Sequence, residues 1–373
     1  MIIAVNTRLL LKGKLDGIGW FTYETIKRIT IQHPEHQFVL FFDRPFNEGF
    51  VFASNVTAVL LYPPARHPVL WYLFFEWSVT RALKKYKADI FVSPDGWLSL
   101  RSNVKSLAVI HDLNFEHFPQ FVKRSHRVYL NYFFHRFAQK ANRIATVSQY
   151  SKIDISEHYG ITKDKIDVVY NGAHDLYRPV SEAVKLSVKA RFTDNYPYFI
   201  FISTLHPRKN LMNLFKAFDL FRKNNLNDTK LVIVGQKQWW NGEISEAYNE
   251  MEFKNEVIFT GRLAPEILNE LLASSLALTY VSYFEGFGIP IVEAFYAETA
   301  VITSNITSMP EIAGNAALLV DPYSITEIAD AMQKIATDDE FRTSLIEKGK
   351  KRRIEFSWDK TAEKLWSSIE KIL

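Results

Sequence analysis

The amino-acid sequence predicts an α/β protein of two domains, each built on a doubly wound parallel sheet. Its 373 residues are enough for two domains at about 150 residues each. Short apolar runs alternate with longer amphipathic ones, which is typical of parallel strands joined by helical crossovers. This alternation is interrupted between residues 172 and 197, where Pro179 and Pro197 accompany scattered charges. We therefore expect the two domains to be joined in that segment.

The first domain is predicted from a series of short apolar runs, each the length of a buried strand. Helical stretches lie between them, such as Trp20 to His33 and Val122 to Lys140. The runs are, in order, IIAVN, QFVLFFD, TAVLLY, DIFVSP, KSLAVIHD, RIATVS and IDVVYN. Ligands of such sheets bind beyond the carboxyl ends of the strands. The loops that follow these runs are therefore the places to look for function.

The second domain repeats the same pattern after residue 197. Its strand-like runs are YFIFIST, KLVIVG, EVIFTG, LALTYVS, AVITSN and AALLV, again with helical stretches between them. Two of the loops that follow these runs carry residues suited to binding an anion.

Composition describes an ordinary globular protein and excludes several chemistries. The chain is 47% hydrophobic and 23% charged, and it has no cysteine, so it can form no disulfide, thiolate metal site or cysteine nucleophile. The formal net charge of +4 favours anionic ligands without demanding nucleic acid. No apolar run reaches the roughly 18 residues of a membrane span, and the N-terminal run is too short for a signal peptide. We expect a cytoplasmic protein.

The stretch YFEGFGIPIVEAF, from Tyr283 to Phe295, reads as a strand-to-helix loop. Gly286 and Gly288 let backbone amides approach a ligand closely, and Pro290 fits the first turn of a helix. The start of a helix offers unpaired N–H groups with a partial positive charge. The loop therefore predicts a phosphate site. The alternative is a glycine-rich connection that binds nothing.

A second loop, in FISTLHPRKNLMNLF, passes through Ser203 and Thr204 to Arg208 and Lys209. The pattern places both cations in the first turn of a helix, where they oppose the helix dipole at a cost of about 0.3 to 1 kcal/mol each. Meeting an anion would offset that cost, and the two side chains could together hold two phosphates. The alternative is a pair of solvated side chains at a helix end.

An ordered set of motifs resembles the retaining glycosyltransferases of family 4, of the group 1 type. In the second half the motifs are HPRKN, GRLAPEILNELLASS, EGFGIPIVEAF and SNITSMPEIAGNAALLVDP; in the first they are VIHDLNFEHFP, RIATVSQYSK and VVYNGAHDLYRP. The resemblance covers nearly the whole chain. It implies the GT-B fold, in which two Rossmann-like domains face each other across a cleft.

The resemblance also implies an order of domains and the substrates. Residues 1–178 would form an acceptor-binding domain and residues 179–355 a nucleotide-sugar-binding domain. Residues 356–373 would form a helix that crosses back to the first domain. The co-substrate would be a nucleotide diphosphate sugar, without a cofactor. No metal is implied, in keeping with the lack of an Asp-x-Asp triplet in the sequence.

The resemblance assigns roles to matching residues. Arg208 and Lys209 would neutralise the diphosphate, Glu285 would accept hydrogen bonds from the transferred sugar, and Glu293 from the ribose. His111 would face the sugar from the first domain, which completes the catalytic set His111, Arg208, Lys209 and Glu285. The other substrate-binding positions, backbone amides included, are Gly17, Gly19, Ser203, Thr204, Arg262, Leu263, Gly286, Phe287, Gly288 and Ile289. Gly17 and Gly19 are expected in a loop before the first helix.

The implied activity is retaining transfer of a hexose to a glycan or lipid-linked acceptor in cell-surface polysaccharide synthesis, with no nucleic-acid partner. Two segments, 68–87 and 121–140, are aromatic and basic. They predict either core-packed helices or a surface that contacts a lipid-linked acceptor at the inner face of the cell membrane.

Three other functions remain open at this point. A GT-B epimerase would keep the fold and change the reaction, and a binding subunit would keep the site without turnover. An NAD-dependent oxidoreductase would use Gly17, Gly19 and Asp43, although Thr22 stands at the third glycine position of its fingerprint. The motifs of serine hydrolases and P-loop enzymes are missing from the sequence.

Overall fold

A computed structural model describes residues 1–224, 228–236, 240 and 242–373. The chain divides into two compact units. Unit 1 comprises Met1–Gly172 together with Trp358–Leu373, and unit 2 comprises Ala173–Ser357. Each unit contains one parallel sheet, as the sequence predicts.

The sheet of unit 1 has seven strands in the described residues, in the order β3-β2-β1-β4-β5-β6-β7. Every neighbouring pair is parallel. The strands are β1 (Ile2–Asn6), β2 (Gln37–Phe42), β3 (Val56–Leu60), β4 (Ile90–Ser93), β5 (Lys105–Val109), β6 (Arg143–Thr146) and β7 (Ile166–Val168). The strand order reverses between β1 and β4, where a doubly wound sheet opens its binding crevice.

The helices in the first segment of unit 1 are α1 (Gly17–Gln32), α2 (Pro68–Leu73), α3 (Thr80–Lys85), α4 (Asn114–His117), α5 (Arg124–Lys140) and α6 (Gln149–Tyr159). A π-helical turn, Phe74–Val79, joins α2 to α3. Helix α1 begins before Trp20 because Asp16 caps it by accepting a hydrogen bond from the Gly19 amide at 2.9 Å.

The sheet of unit 2 has six strands in the described residues, in the order β10-β9-β8-β11-β12-β13, again all parallel. They are β8 (Tyr198–Ile202), β9 (Lys230–Val234), β10 (Val257–Gly261), β11 (Ala277–Tyr280), β12 (Ala300–Ser304) and β13 (Leu318–Val320). Here the order reverses between β8 and β11. Both loops with predicted anion-binding residues follow these two strands.

The helices of unit 2 are α7 (Glu182–Phe192), α8 (Leu211–Asn224), α9 (Gly242–Asn249), α10 (Pro265–Ala273), α11 (Ile289–Tyr296), α12 (Met309–Ala313), α13 (Ile325–Thr337) and α14 (Asp339–Arg352). They cover a sheet whose central strands are buried along their whole length, such as β8 and β11. A strand covered on both faces needs apolar residues at every position, which is why these strands read as continuous apolar runs.

The last helix, α15 (Trp358–Glu370), belongs to unit 1. It packs against α1, where Arg28 forms an ion pair with Asp359 at 2.6 Å. The Thr361 hydroxyl donates to the carbonyl of Tyr170 at 2.7 Å. Among the described residues no helix is both long enough and apolar enough to cross a membrane.

The unit boundaries differ slightly from the predicted residues 178 and 355. Residues 173–178 belong to unit 2 because the Arg178 amide donates to Asn269 at 3.0 Å. At the other end, Phe356 packs edge-on against Phe287 with ring centroids 5.8 Å apart. These local contacts are invisible in a single sequence, so the pattern locates each boundary only approximately.

Candidate active site

Two loops of unit 2 meet at the point where its strand order reverses. One follows β8 and leads into α8; the other follows β11 and leads into α11. Because β8 and β11 are neighbours in a parallel sheet, the loops at their carboxyl ends lie side by side. The Tyr283 amide donates to the carbonyl of Arg208 at 2.9 Å, which joins the two loops directly.

Arg208 and Lys209 lie in a 3-10 turn, Pro207–Lys209, and not in the first turn of α8 as predicted. Asn210 follows the turn in the left-handed conformation, with φ 61°, and so separates the cations from the helix. The buried Asn210 amide donates to the carbonyls of Val281 and Pro322 at 2.9 and 2.7 Å. The helix dipole therefore does not set the cost of these charges, and the turn is held by contacts with two other loops.

Glu285 brings the two cations together. Its Oε1 lies 2.5 Å from Lys209 Nζ and 3.2 Å from an Arg208 guanidinium nitrogen. Lys209 Nζ also donates to the Tyr280 hydroxyl at 2.9 Å. Only 7% of Glu285 is exposed. Burial alone would raise the pKa of this carboxyl, but Lys209 and Arg208 outweigh it and hold the pKa at about 2.

The cluster of Arg208, Lys209 and Glu285 therefore holds two positive charges and one negative charge in a largely buried position. The neighbouring His206 adds no further charge near neutral pH. Burial, followed by the two cations, lowers the pKa of its imidazole to about 4, and its Nδ1 accepts a hydrogen bond from the Arg208 amide at 3.1 Å. The arrangement leaves one unit of positive charge to meet an anion.

Ser308, the residue before α12, holds the glycine loop in place through two hydrogen bonds. The Ser308 hydroxyl lies 2.9 Å from the carbonyl of Glu285 and 3.1 Å from that of Phe287, and donates to them. Gly288 is the residue before α11 and has φ 96°, a conformation that favours glycine. The ring of Phe287 is buried.

Glu293 lies one turn into α11 and is part-buried. Burial raises the pKa of its carboxyl to about 7, and a hydrogen bond from the Tyr177 hydroxyl only partly opposes that rise. The two glutamates of this loop therefore differ at neutral pH. Glu285 is fully ionised, whereas Glu293 is divided between its protonated and ionised forms.

In unit 1, His111 lies two residues after the end of β5. Its Nε2 donates to the carbonyl of Pro94 at 2.8 Å, since a carbonyl can only accept. Its ring packs edge-on against Phe21 at 5.0 Å. Burial lowers the pKa of the imidazole, so His111 is neutral at pH 7. The side chain is thus fixed in one tautomer at the carboxyl end of the sheet.

Comparison with known proteins decides the family. Residues 185–352 match the family described as "Glycosyl transferases group 1", and residues 15–175 match "Glycosyltransferase Family 4". Together the two matches span most of both units. The chain belongs to the family 4 glycosyltransferases.

Relatives of this glycosyltransferase include the O-antigen chain mannosyltransferase B of Escherichia coli, 27% identical over 94% of each chain. The O-antigen chain mannosyltransferase RfbU of Salmonella typhimurium is 26% identical over 68% of this chain and 67% of its own. Both relatives are named as O-antigen chain mannosyltransferases.

Solved structures show the GT-B fold. Sucrose-phosphate synthase from Thermosynechococcus elongatus superposes with a TM-score of 0.78 over 100% of this chain and 98% of its own, at 16% identity. Anabaena Alr3699/HepE in complex with UDP-glucose has a TM-score of 0.76 over 100% of both chains, at 18% identity.

The structure does not gather every predicted residue of the glycosyltransferase at the cluster. Arg262 and Leu263 follow β10, the edge strand, so their loop lies two strand spacings, roughly 10 Å, from the loop after β8. Ser203 and Thr204 do lie in the loop after β8. The carbonyl of Ser203 approaches Gly235 so closely that a Cβ at Gly235 would come within 1.8 Å of it.

Gly17 and Gly19 are in a different setting from the one predicted. Both belong to the first turn of α1, and not to a loop before it, because Asp16 caps the helix ahead of them. A Cβ at Gly19 would lie 3.1 Å from the carbonyl of Leu9, so glycine lets the helix start pack tightly on the loop after β1.

Sequence reasoning missed two features. Tyr177, in the motif DLYRP, hydrogen-bonds Glu293 although the two are far apart in the sequence. In unit 1, Asp95 accepts from Asn6 Nδ2 at 2.7 Å and pairs with Arg8 Nε at 2.6 Å, all three being buried. Asn6 and Asp95 stand at the ends of neighbouring strands β1 and β4, and a polar residue at each strand end was the available signal.

Asp43 is unsuited to the role that an NAD-dependent oxidoreductase would give it. The carboxylate is fully buried, lies 2.6 Å from Arg44 Nε and accepts from the Ala65 amide at 2.9 Å. With Gly17 and Gly19 inside α1, the fingerprint of a dinucleotide site is not formed. Neither the oxidoreductase nor the epimerase has support among the relatives.

Proposed function

We propose that this glycosyltransferase moves a hexosyl group, mannose being the first candidate, from a nucleotide diphosphate sugar to a glycan or lipid-linked acceptor. The product would be a cell-surface polysaccharide. The observation that carries the proposal is the cluster of Arg208, Lys209 and Glu285 where the strand order of unit 2 reverses. The names of the mannosyltransferase relatives support the choice of sugar.

The chemistry asked of the cluster is stabilisation of a leaving group. When the bond from the sugar to the diphosphate breaks, negative charge develops on the phosphate oxygen. Arg208 can meet it as a fork and Lys209 as a point charge, inside a largely buried site where such contacts are strong. Glu285 neutralises one of the two charges before the donor binds, so Arg208 and Lys209 can lie close together while the donor is absent.

Glu285 also suits the sugar itself. A carboxylate with a pKa of about 2 stays ionised at every physiological pH and can accept hydrogen bonds from sugar hydroxyls. Glu293 would accept from the ribose. Its place as the fifth residue of α11, after the glycine loop, separates it from Glu285 by roughly 6 Å of helix rise plus the loop. The two carboxylates can therefore receive different parts of one donor.

The transfer would retain the configuration of the donor and need no metal. The acceptor hydroxyl would attack from the face that the diphosphate leaves and give its proton to the departing phosphate oxygen. No side-chain base is then required. Arg208 and Lys209 supply the positive charge that a divalent ion would otherwise bring to a diphosphate.

A groove in unit 1 suits the apolar part of a lipid-linked acceptor. It has a volume of about 390 Å³, lies between α2 and α5, and is lined mainly by apolar and aromatic side chains. The α2 and α5 segments bury Trp71 and Phe137 but expose Val69 and Val128, so each is partly core and partly surface. We infer that the enzyme works in the cytoplasm, in peripheral contact with the inner face of the membrane.

Exposed cations at the start of α5 fit that location. Lys123 and Arg124 lie beside the groove residue Ser125, and the first turn of α5 has no acidic residue. Such residues are attracted to anionic lipid headgroups by about 1 kcal/mol each.

A screen of donor hydrolysis tests the function. Purified protein is incubated with GDP-mannose and with UDP-, ADP- and dTDP-hexoses, in buffer with and without EDTA, and release of the nucleoside diphosphate is measured. We expect one donor class to be hydrolysed at a rate that EDTA does not change, and the released sugar to keep its anomeric configuration. Hydrolysis of none would contradict transfer, and loss with EDTA would contradict the metal-free chemistry.

A further inference from the structure

Unit 1 contains a compact group of metal-ligating side chains: His117, Asp154 and His158. The group is separate from the cluster of Arg208, Lys209 and Glu285 in unit 2. His117 is the last residue of α4, whereas Asp154 and His158 lie on α6. Residues four apart project from the same face of a helix, so α6 presents a carboxylate and an imidazole together. One ligand atom from each of the three residues lies within 4.8 Å of the other two.

We propose that this group, the His117–Asp154–His158 site, binds one zinc-class divalent ion. The ligands would be His117 Nε2, a carboxylate oxygen of Asp154 and His158 Nδ1, with water completing a tetrahedral shell. Two imidazoles and a carboxylate are ligands that zinc accepts, and three protein ligands with an open position is a known zinc arrangement.

The distances fit that geometry. Zinc–ligand bonds of about 2.0 to 2.2 Å at tetrahedral angles place neighbouring ligand atoms roughly 3.3 Å apart. Asp154 Oδ1 lies 2.9 Å from His117 Nε2 and 3.2 Å from His158 Nδ1. Two edges of the tetrahedron are therefore nearly formed. The third needs the two imidazole nitrogens, which lie within 4.8 Å of each other, to approach by about 1.5 Å at most.

Burial and charge also favour an ion over three separate side chains. Asp154 is only 8% exposed, whereas 42% of the His158 side chain is exposed, so one side of the site opens to solvent for ion entry and a water ligand. Glu116 precedes His117 in the chain. It accepts a hydrogen bond at 3.0 Å from the hydroxyl of Tyr159, the residue after His158. The charge of Asp154 also acts on the Tyr159 hydroxyl, so two carboxylates lie at this contact between α4 and α6.

The position of the site indicates what the ion would do. Helix α4 continues from the segment that carries His111, and the Ser151 hydroxyl of α6 donates to the His111 carbonyl at 3.2 Å. An ion shared by α4 and α6 would brace the His111 loop from both sides. It would be a structural ion of unit 1, separate from the donor cluster of unit 2.

Titration of metal-free protein with ZnCl₂, followed by calorimetry and thermal unfolding, tests the proposal. We expect one zinc ion per chain and a rise in the unfolding midpoint, since an ion that binds only the folded state stabilises it. His158→Ala and His117→Ala should each weaken zinc binding at least about tenfold. His67→Ala, which removes an exposed histidine at the start of α2, is the matched control and should bind like the wild type.

Because His158 is exposed, its replacement is expected to leave the fold intact, and the wild-type titration needs no variant at all. The proposal is overturned if wild-type protein binds no zinc, or if His158→Ala binds zinc as tightly as wild type. Equal stabilisation by MgCl₂ would also overturn it, because imidazole ligands select zinc over magnesium. No sugar donor enters these measurements, so they are independent of the proposed transfer.

Discussion

Glu285 and Glu293 are eight positions apart in one loop and helix, yet their surroundings give them opposite properties. Two cations hold the pKa of Glu285 at about 2, while burial raises that of Glu293 to about 7. This difference predicts different consequences when each is replaced by glutamine, which keeps the shape and removes the charge.

The first prediction concerns catalysis. Glu285→Gln should lower kcat by about 10- to 100-fold, since a hydrogen bond to a charged group contributes about 1.5 to 3 kcal/mol and this change also loosens the two cations. Glu293→Gln should mainly raise KM for the donor, because the ribose does not react. Steady-state kinetics of both variants measure this. A change in KM alone for Glu285→Gln would contradict its role at the sugar.

The second prediction concerns stability and pH. Glu293 has a folded pKa of about 7 against an ordinary value of 4.5. Between these pH values Glu293 is ionised in the unfolded chain but keeps its proton in the folded one. The free energy of unfolding therefore falls by up to about 3 kcal/mol as the pH rises. Glu293→Gln lacks this loss.

Thermal unfolding at pH 5 and pH 8 measures the effect. The midpoint of Glu293→Gln, relative to wild type, should be higher at pH 8 than at pH 5. Glu266→Gln, at an exposed position of the same unit, should show no such dependence. A difference between Glu293→Gln and wild type that is equal at both pH values would show that Glu293 is ionised in the folded protein.

Among the elements, α11 depends most on a backbone conformation. Gly288 stands before it with φ 96°, and an added Cβ would lie 3.1 Å from Ile291 Cδ1. Gly288→Ala should therefore destabilise unit 2 by about 1 to 3 kcal/mol and weaken donor binding by shifting the loop. Denaturation and nucleotide titration measure both effects.

Gly242→Ala is the control for that prediction, because Gly242 is the first residue of α9, has no left-handed φ, and an added Cβ would meet only Glu246 Oε1 at 3.9 Å. It should fold and bind like wild type. Donor binding unchanged in Gly288→Ala would mean that the glycine loop does not form part of the donor site.

The elements also show why the sequence predicts some features and not others. The strands and the two loops at β8 and β11 are legible because a strand buried on both faces is apolar at every position, and because ligand loops follow such strands. The 3-10 turn of Arg208 and Lys209 cannot be predicted in this way, since Asn210 fixes it through the carbonyls of Val281 and Pro322. Local propensity carries no trace of those distant partners.

The same reason explains the missed pairs. Tyr177 meets Glu293, and Arg8 meets Asp95, only because particular strands and connecting segments become neighbours in the folded chain. The position of Gly17 and Gly19 inside α1 depends on Asp16, whose side chain caps the helix ahead of them. The resemblance to a family supplied the roles of Glu285 and Glu293, whereas the structure supplied their different ionisation.

At the scale of the molecule, the α2–α5 groove predicts binding to membranes. Wild-type protein should float with vesicles that contain phosphatidylglycerol and much less with neutral phosphatidylcholine vesicles. Val128→Asp places a negative charge on the groove and should reduce flotation severalfold. Ile153→Asp changes a similarly exposed apolar residue on α6 and should not. Wild-type protein that stays in solution with anionic vesicles would remove the membrane from this account.

Turnover of Arg208→Ala tests the central claim most directly, namely that the cluster in unit 2 stabilises the departing diphosphate. The variant should lose at least about a hundredfold in kcat on the preferred donor, comparable to losing one positioned oxyanion donor. Lys216→Ala, an exposed cation on α8, is the control and should retain full turnover. A folded Arg208→Ala protein that turns over at the wild-type rate would show that the diphosphate is held elsewhere.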